Sequence, residues 1–298
     1  MESPEPFVGS YLIVFVDILG QRRLLSEMAA LPDQSDPAQM EQFRTLLKKT
    51  VGMVNRLRQS FRQFFEHASP PRDPEGLTPD QRILYKQATN NPLESQALSD
   101  FVVISLSLRD DSCRLPMRGV YSALFSAAST FITMLAEGCP IRGGIDLGLG
   151  VELSDGDVYG PALVRAHALE SQIAQYPRII IGDHLKQYLD YQRLRPETDV
   201  FATLNKKLAE ATGGLLAVDD DGYPFLDYLG EGLPSIRGVL GQKTITNARE
   251  FITKESIRYQ QEKNSKLAFR YTLLRNYFDH RLAMESDEEC VNPSLSSQ

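Results

Sequence analysis

Two short hydrophobic runs each stand beside a single acidic residue. Residues 11–16 are all aromatic, aliphatic or β-branched, and Asp17 follows them directly. Residues 98–106 form a second β-rich run that contains Ser99 and Asp100. Short apolar runs predict strands buried on both faces, and we interpret the second as two antiparallel strands that turn at or near Asp100. A carboxylate at the end of a buried strand needs a metal ion, a basic group or backbone N–H groups, because burying an unpaired charge is costly.

Elsewhere the apolar positions alternate between helical spacing and short strand-like runs. Helical spacing predicts a long helix over residues 39–66 and another over residues 117–137, with Gly138 as the C′ residue that ends it. The glycine-rich residues 140–153 and the run 179–181 are predicted strands. The resulting order, β–α–α–β–β–α–β, is compatible with a ferredoxin-like α+β core.

The last third of the chain has weaker patterns. A predicted hairpin surrounds residues 219–222, three aspartates and a glycine, which we interpret as an acidic turn because the full spacing of an EF-hand is missing. Residues 244–284 show helical spacing, and residues 286–298 are acidic and serine-rich, which predicts a disordered tail.

Composition places the chain among soluble globular proteins and excludes several classes. Of 298 residues, 42% are hydrophobic and 24% are charged, and the net charge of −7 disfavours a general nucleic-acid binder. The three cysteines lack zinc-site spacing and fit a reducing compartment. The leader, residues 1–10, has no basic region of a signal peptide, and residues 119–136 are predicted to be a core helix. We therefore expect a cytoplasmic protein that binds neither membranes nor nucleic acids.

The two aspartates next to buried strands suggest a metal site. Asp17 and Asp100 could meet across neighbouring strands, where their oxygens would suit Mg²⁺ or Mn²⁺. The alternative for each aspartate alone is a turn former or a helix N-cap. The presence of two such residues with similar flanks favours the metal site.

These stretches resemble a known family. Residues 15–20, with Asp17-Ile18 and Gly20, resemble the first metal-binding motif of class III nucleotide cyclases, and residues 99–103 resemble the second, with Ser99 where glycine is usual. Residues 142–148 and 157–171 resemble the strand after the central helix and the segment that leads into the next helix. The closest resemblance is to the pyrimidine cyclases of bacterial Pycsar anti-phage systems.

The resemblance implies a fold and a set of ligands. It implies the ferredoxin-like cyclase core, two Mn²⁺ or Mg²⁺ ions per site held by Asp17, Asp100 and the Ile18 carbonyl, and a homodimer with composite active sites. The backbone N–H groups of Leu19 and Gly20 lie at a strand-to-helix turn, where they could cradle phosphate. We predict a cyclase domain over residues 11–230 and a helical extension over residues 231–285.

The chain departs from the purine-cyclase pattern at several positions. Gln96 stands where purine cyclases usually carry the base-reading lysine, whereas the acidic base-reading position is kept as Asp157. Val164 and Ala168 replace the asparagine and arginine that stabilise the transition state in the family. Arg165 is a candidate replacement catalytic residue, with a surface arginine as the alternative; Arg178 is a second candidate.

These features predict a pyrimidine nucleotide cyclase that converts UTP to cyclic UMP and pyrophosphate. Its product would activate a separate effector in anti-phage defense. The alternatives are a CTP-to-cyclic-CMP cyclase, a purine cyclase, a catalytically silent cyclase-like binding module and a metal-dependent nucleotidyltransferase. Retention of both aspartates favours an active enzyme, because a silent module has no need for two desolvated carboxylates. The net negative charge disfavours a nucleic-acid template.

Overall fold

The computed structural model describes residues 7–27, 30–68, 78–80, 82, 93–108, 115–153 and 157–291. Most of the predicted leader and the end of the predicted tail, residues 1–6 and 292–298, lie outside the described residues. The last helix continues to Val291, past the point at which the disordered tail was expected to begin.

Four antiparallel strands form the centre of the molecule. They are β1 (Phe7–Ile18), β2 (Leu93–Leu98), β3 (Phe101–Ser107) and β4 (Ile141–Glu152), in the spatial order β2-β3-β1-β4. With helices between β1 and β2 and between β3 and β4, this is the βαββαβ order of a ferredoxin-like sheet. The predicted α+β fold with a ferredoxin-like core is therefore confirmed.

Further strands widen the sheet beyond β4. The short strand β5 (Val158–Tyr159) pairs with β4, and β6 (Ile179–Ile181) runs parallel to β4 on its outer side. The hairpin of β7 (Leu216–Val218) and β8 (Pro224–Leu226) follows, with β8 paired to β6. The predicted acidic turn joins these two strands.

The helices of the described residues flank this sheet. In chain order they are α1 (Gln21–Glu27), α2 (Pro37–Lys49), α3 (Val51–Ala68), α4 (Pro116–Ala136), α5 (Pro161–Ala168), α6 (Asp183–Leu194), α7 (Val200–Gly213), α8 (Leu233–Leu240), α9 (Gln242–Gln261) and α10 (Ser265–Val291). A π-helical turn, Leu169–Ile173, follows α5 directly.

The prediction of one helix over residues 39–66 was wrong, because the helix is interrupted at Thr50. Thr50 leaves helical geometry, and its hydroxyl donates to the Leu46 carbonyl at 2.8 Å. A threonine hydroxyl that bonds to a carbonyl of the preceding turn competes with the regular helical hydrogen bonds, and a new helix, α3, starts directly afterwards at Val51. By contrast, Gly138 adopts φ +74 after α4, as predicted for a C′ residue.

Helix α4 is the centre of the main hydrophobic core. It packs against α3, α7 and α9 and is buried nearly throughout, so its length and apolar composition reflect a core position. Alternate residues of β1, such as Leu12 and Val14, face the same core. Ile252 of α9 and Phe278 of α10 belong to it as well, so the predicted helical extension packs into the main core.

In the part of the chain that the structure describes, the opposite face of the sheet is only partly covered. Tyr11, Ile13 and Phe15 point to this side and form a smaller cluster with Ala162 and Ala166 of α5. Helix α5 contacts β4 and β1. The ends of β1, β2 and β3 beyond α5 border a cleft.

Candidate active site

The sheet register places the two predicted carboxylates side by side. Asp17 is the penultimate residue of β1 and lies opposite Phe101 of β3. Asp100 immediately precedes Phe101, and the Ile18 N–H donates to its carbonyl at 2.9 Å. Ser99, the first residue of the two-residue turn, has φ 58, a conformation that glycine adopts most readily.

The carboxylates open onto a cleft of about 830 Å³. Its described lining contains three of the predicted site residues, Asp17, Gln96 and Asp100. The full described lining is Phe15, Asp17, Leu25, Gln96, Ser99, Asp100, Phe101, Val103, Arg142, Leu163, Val164, His167, Glu170 and Ser171. The volume lies within the range of small-molecule sites.

One wall of the cleft is aromatic. The rings of Phe15 and Phe101 are stacked with centroids 5.0 Å apart. The ring of His167, a residue of α5, also lies near Phe15, with the two ring centroids 5.0 Å apart. A planar, apolar wall next to two carboxylates suits a ligand with a heterocycle at one end and phosphates at the other.

Three charged residues in the lining of the cleft, Asp17, Arg142 and Glu170, form two consecutive ion pairs. Arg142 of β4 lies opposite Asp17 in the sheet, with its Nη2 atom 3.4 Å from the Asp17 Oδ2 atom. Its Nε atom lies 2.5 Å from the Oε1 atom of Glu170, which is buried in the π-helical turn. The arginine is thus held between two carboxylates, which accounts for a buried acidic side chain at Glu170.

Sequence reasoning missed Arg142 and Glu170 as site residues, although both lie in the quoted motifs. The available signal was register: Arg142 is the second residue of β4, the strand that pairs with β1 next to Asp17. For Glu170, the signal was an acidic residue amid the apolar spacing of Ala166, Leu169 and Ile173.

Gly144 permits the close approach of α5 to the sheet. A Cβ atom at this position would lie 2.2 Å from the Ala166 carbonyl oxygen and 2.6 Å from the Leu169 Cβ atom. No side chain fits such a space, because these neighbours are backbone or are fixed by the helix. The approach brings the π-helical turn, and Glu170 with it, against β4.

The structure does not bring Arg165 into the described lining of the cleft. Its Nε atom donates to Asp146 Oδ2 at 2.7 Å, and its Nη2 atom donates to the Leu147 carbonyl at 2.9 Å. Asp146 is buried and also accepts from the Leu185 N–H. Gly148 leaves room for the guanidinium, since a Cβ atom there would lie 2.1 Å from Nη2.

Arg178, the second candidate cation, is buried away from the cleft. Its guanidinium binds the carboxylates of Asp219 and Asp221, and Tyr176 donates to Asp219 as well. Although burial lowers the pKa of Arg178, the hydrogen bond with Asp221 and its other neighbours raise that pKa overall. Arg178 therefore anchors the β7–β8 hairpin.

The remaining predicted contacts lie at the edges of the site. The Leu19 N–H was predicted to bind phosphate, but it donates to the Pro140 carbonyl at 2.9 Å. This hydrogen bond extends the pairing of β1 with β4 by one residue. Gly20 has φ +87 at the turn into α1, and its phosphate contact stays a prediction. Asp157 lies beside Leu153, beyond the opposite end of β4 from Arg142, outside the described lining.

The donor set at Asp17 and Asp100 fits a cation that shares its coordination with a substrate. Within the described residues, no cluster of three or more histidine, cysteine or acidic side chains could hold a metal ion. The predicted ligands, two carboxylates and one backbone carbonyl, include fewer side chains than such a cluster. Mg²⁺ is commonly bound by one or two carboxylates together with substrate phosphates and water.

Comparisons with known proteins give a structural likeness. No protein-family model matches the chain, and no curated protein matches it significantly. Among solved structures, the chain is similar to the crystal structure of the adenylyl cyclase CyaB from P. aeruginosa, with 16% sequence identity and a TM-score of 0.35. The match covers 62% of this chain and 83% of that chain.

Proposed function

We propose that this chain is a metal-dependent nucleotide cyclase that converts UTP to cyclic UMP and pyrophosphate. The observation that carries the proposal is the pairing of Asp17 and Asp100 in a cleft that also holds Arg142, Gln96 and an aromatic wall. Such a cleft has acidic ligands for ions, a cation for phosphate and an apolar surface for a base.

In the proposed reaction the ribose 3′ oxygen attacks the α-phosphorus as the bond to pyrophosphate breaks. Two Mn²⁺ or Mg²⁺ ions, held by Asp17, Asp100 and the Ile18 carbonyl, would supply activation of the hydroxyl and neutralise phosphate charge. The two carboxylates fix this end of the nucleotide at the edge of the sheet. Gly20, at the turn into α1, is the backbone position that would contact phosphate.

Arg142 is the cation that we assign to the triphosphate. It is the one arginine or lysine in the described lining of the cleft, and it lies between Asp17 and Glu170. A guanidinium suits phosphate because its planar donors bind two oxygens at once. The 3.4 Å contact with Asp17 is long for an ion pair, so Arg142 can exchange it for a phosphate while Glu170 keeps the Nε side in place.

Base choice rests on Gln96. Its side chain lines the cleft and offers both a donor and an acceptor without charge, so it can read the edge of uracil or cytosine. UTP is the favoured substrate, and CTP is the closest alternative. Asp157, outside the lining of its own cleft, would read the base in the cleft of a second copy, which is the arrangement of a homodimer with composite sites.

The proposed biological role follows from the product. A cyclic pyrimidine nucleotide made on phage infection would activate a separate effector protein as an antiviral signal. A silent, nucleotide-binding module is the second candidate, and the observation that favours it is the apolar character of Val164 and Ala168.

The test is to incubate the purified protein separately with ATP, GTP, CTP and UTP in the presence of Mn²⁺ and to identify products by mass. We expect cyclic UMP from the wild type, and no turnover from Asp17→Ala or Asp100→Ala because each removes a metal ligand. Asp190→Ala is the matched control, since Asp190 is exposed on α6.

Wild-type-like turnover in either cleft variant would contradict the two-metal assignment. A cyclic purine product would be consistent with the proposed mechanism but would contradict the role of Gln96 in selecting a pyrimidine base. No product from any triphosphate, together with retained binding of a Mn²⁺–nucleotide complex, would favour the silent module.

A further inference from the structure

Helix α5 presents one polar side chain to the cleft that the proposed function has not used. The two arginines considered as transition-state donors are engaged elsewhere: Arg165 by Asp146 and Arg178 by the β7–β8 turn. His167 is exposed and lines the cleft together with Asp17 and Asp100.

The packing of α5 fixes this orientation of His167. Ala162 and Ala166 are buried against β1 and β4, and the Ala166 carbonyl is so close to Gly144 that any side chain there would overlap it. Leu163 and His167 are one helical turn apart, and both line the cleft. The helix therefore cannot rotate His167 away without losing its contact with the sheet.

The imidazole is within reach of a nucleotide held at the carboxylates. Its ring lies 5.0 Å from the ring of Phe15. Phe15 and Asp17 are alternate residues of β1, so they point to the same face and are about 7 Å apart along the strand. A nucleotide held at Asp17 and Asp100 would therefore share the cleft with the imidazole, which lies on the same side of β1.

His167 also has unused hydrogen-bonding capacity. In the part of the chain that the structure describes, neither ring nitrogen takes part in a hydrogen bond or ion pair; its backbone carbonyl accepts from the Ser171 hydroxyl at 2.8 Å. Arg142, on the β4 side of the cleft, is the cation assigned to the triphosphate. On the α5 side of the cleft, the imidazole is thus the donor left for a ligand.

We propose that His167 is a catalytic residue of this site, donating a ring N–H to a non-bridging oxygen of the α-phosphate in the transition state. As the bond from the 3′ oxygen to phosphorus forms, the bond from phosphorus to pyrophosphate breaks and its electrons leave with pyrophosphate. The hydroxyl proton passes to water, and the imidazole keeps its own proton. The inference rests on the proposed cyclase function and adds the donor that Val164 and Ala168 cannot supply.

The experiment compares His167→Ala with His184→Ala, using the triphosphate that the wild type cyclises best. His184 is the matched control because it is half-exposed at the start of α6, beside Asp146 and outside the cleft lining. Both kcat and the Kd for the corresponding 3′-deoxy triphosphate, which cannot cyclise, are measured with Mn²⁺.

We expect His167→Ala to lower kcat about 100-fold, the usual cost of removing one transition-state donor, with the Kd of the 3′-deoxy analogue within about threefold of wild type. His167→Gln, which keeps an N–H donor, should recover part of the rate. His184→Ala should match the wild type.

Two results would overturn the role of His167 and leave the proposed function standing. The first is an active wild type with an unchanged kcat in His167→Ala. The second is a Kd for the 3′-deoxy analogue that rises by as large a factor as kcat falls. The second would make His167 a ground-state binding group. A wild type that cyclises no triphosphate would overturn the proposed function, and the role of His167 with it.

Discussion

Three arginines illustrate how neighbouring carboxylates decide what a cation does. Arg142 lies between Asp17 and Glu170 at the edge of the cleft, where one of its contacts is loose. Arg165 and Arg178 bind their carboxylates closely inside the fold, and neither belongs to the described cleft lining. A cation that already satisfies buried carboxylates is costly to withdraw, because its partners would be left unpaired.

At the residue scale, this argument predicts the effect of Arg165→Ala. The variant leaves buried Asp146 with the Leu185 N–H and the half-exposed His184. We expect the free energy of unfolding to fall by about 3 kcal/mol, the low end for breaking a buried ion pair. Urea denaturation measures it, with Arg165→Lys as the conservative control.

The catalytic hypothesis for Arg165 makes a separate prediction for the same variant. If Arg165 acts in the transition state, kcat should fall well beyond any change in nucleotide binding, even at temperatures where the variant is fully folded. An unchanged kcat in the folded variant would remove Arg165 from catalysis, and unchanged stability would contradict its structural role.

At the scale of elements, the β7–β8 hairpin depends on one buried arginine. Arg178 lies beside β6, and its side chain is 2% exposed. It ties down the turn through Asp219 and Asp221, and burial raises the pKa of Tyr176, which also donates to Asp219. The acidic turn that the sequence predicted therefore supplies the carboxylates of an ion cluster, and Arg178 supplies the cation.

We expect Arg178→Met to lower the free energy of unfolding by about 3 kcal/mol, because two carboxylates lose their cation. The matched control is Arg249→Met, since Arg249 pairs with Asp279 on the surface. An exposed pair contributes about 1 kcal/mol or less. Equal losses in the two variants, measured by urea denaturation, would contradict the anchoring role.

The ion cluster of Arg178 also predicts how the stability of the protein depends on pH. The hydrogen bond with Arg178 lowers the pKa of Asp221 in the folded protein. Its contribution to stability is therefore present above the pKa of an unfolded aspartate and is lost as pH falls through the lowered folded value. The difference in stability between wild type and Arg178→Met should accordingly shrink in acid.

At the scale of the whole molecule, the helices after residue 230 are part of the main core. Ile245, Ile252, Leu274 and Phe278 pack in the same cluster as α4 and β1. This arrangement covers one face of the sheet, whereas among the described residues α5 covers the cleft face at β1 and β4. In the proposed homodimer, a second copy that docks on this face would complete the composite sites.

Composite sites predict that two inactive variants restore activity when mixed. If one copy supplies Asp100 and the other supplies Asp157, a dimer of Asp100→Ala with Asp157→Ala keeps one intact site. Random pairing makes half of all dimers mixed, so we expect about a quarter of wild-type turnover. A mixture of Asp17→Ala with Asp100→Ala is the control, because both variants damage the metal end and no intact site can form.

If the mixed dimers form but remain inactive, each site is completed within one chain. Analytical ultracentrifugation at the assay concentration shows whether dimers are present. A monomer with full turnover would also contradict the composite arrangement.

The features that depend on local order could be predicted from the residues alone. Apolar runs fixed the strands that end at Asp17 and continue from Asp100, and the two-residue turn between β2 and β3 brought Asp100 next to β1. Gly138 ended α4 as predicted because a left-handed C′ residue is a local requirement. The element order was compatible with the ferredoxin-like core, and the resemblance to class III cyclases implied the same core.

Which charged groups come into contact could not be predicted from the residues and depends on how the elements pack. The contacts of Arg142 with Asp17 and Glu170 join residues far apart in the chain, and they depend on the β1–β4 register and on the space at Gly144. The engagement of Arg165 by Asp146 depends on the same packing. Hydrophobic periodicity specifies which face of an element is buried, but it carries no information about which charges on two buried faces come into contact, because that is set by distances of a few ångströms between packed elements.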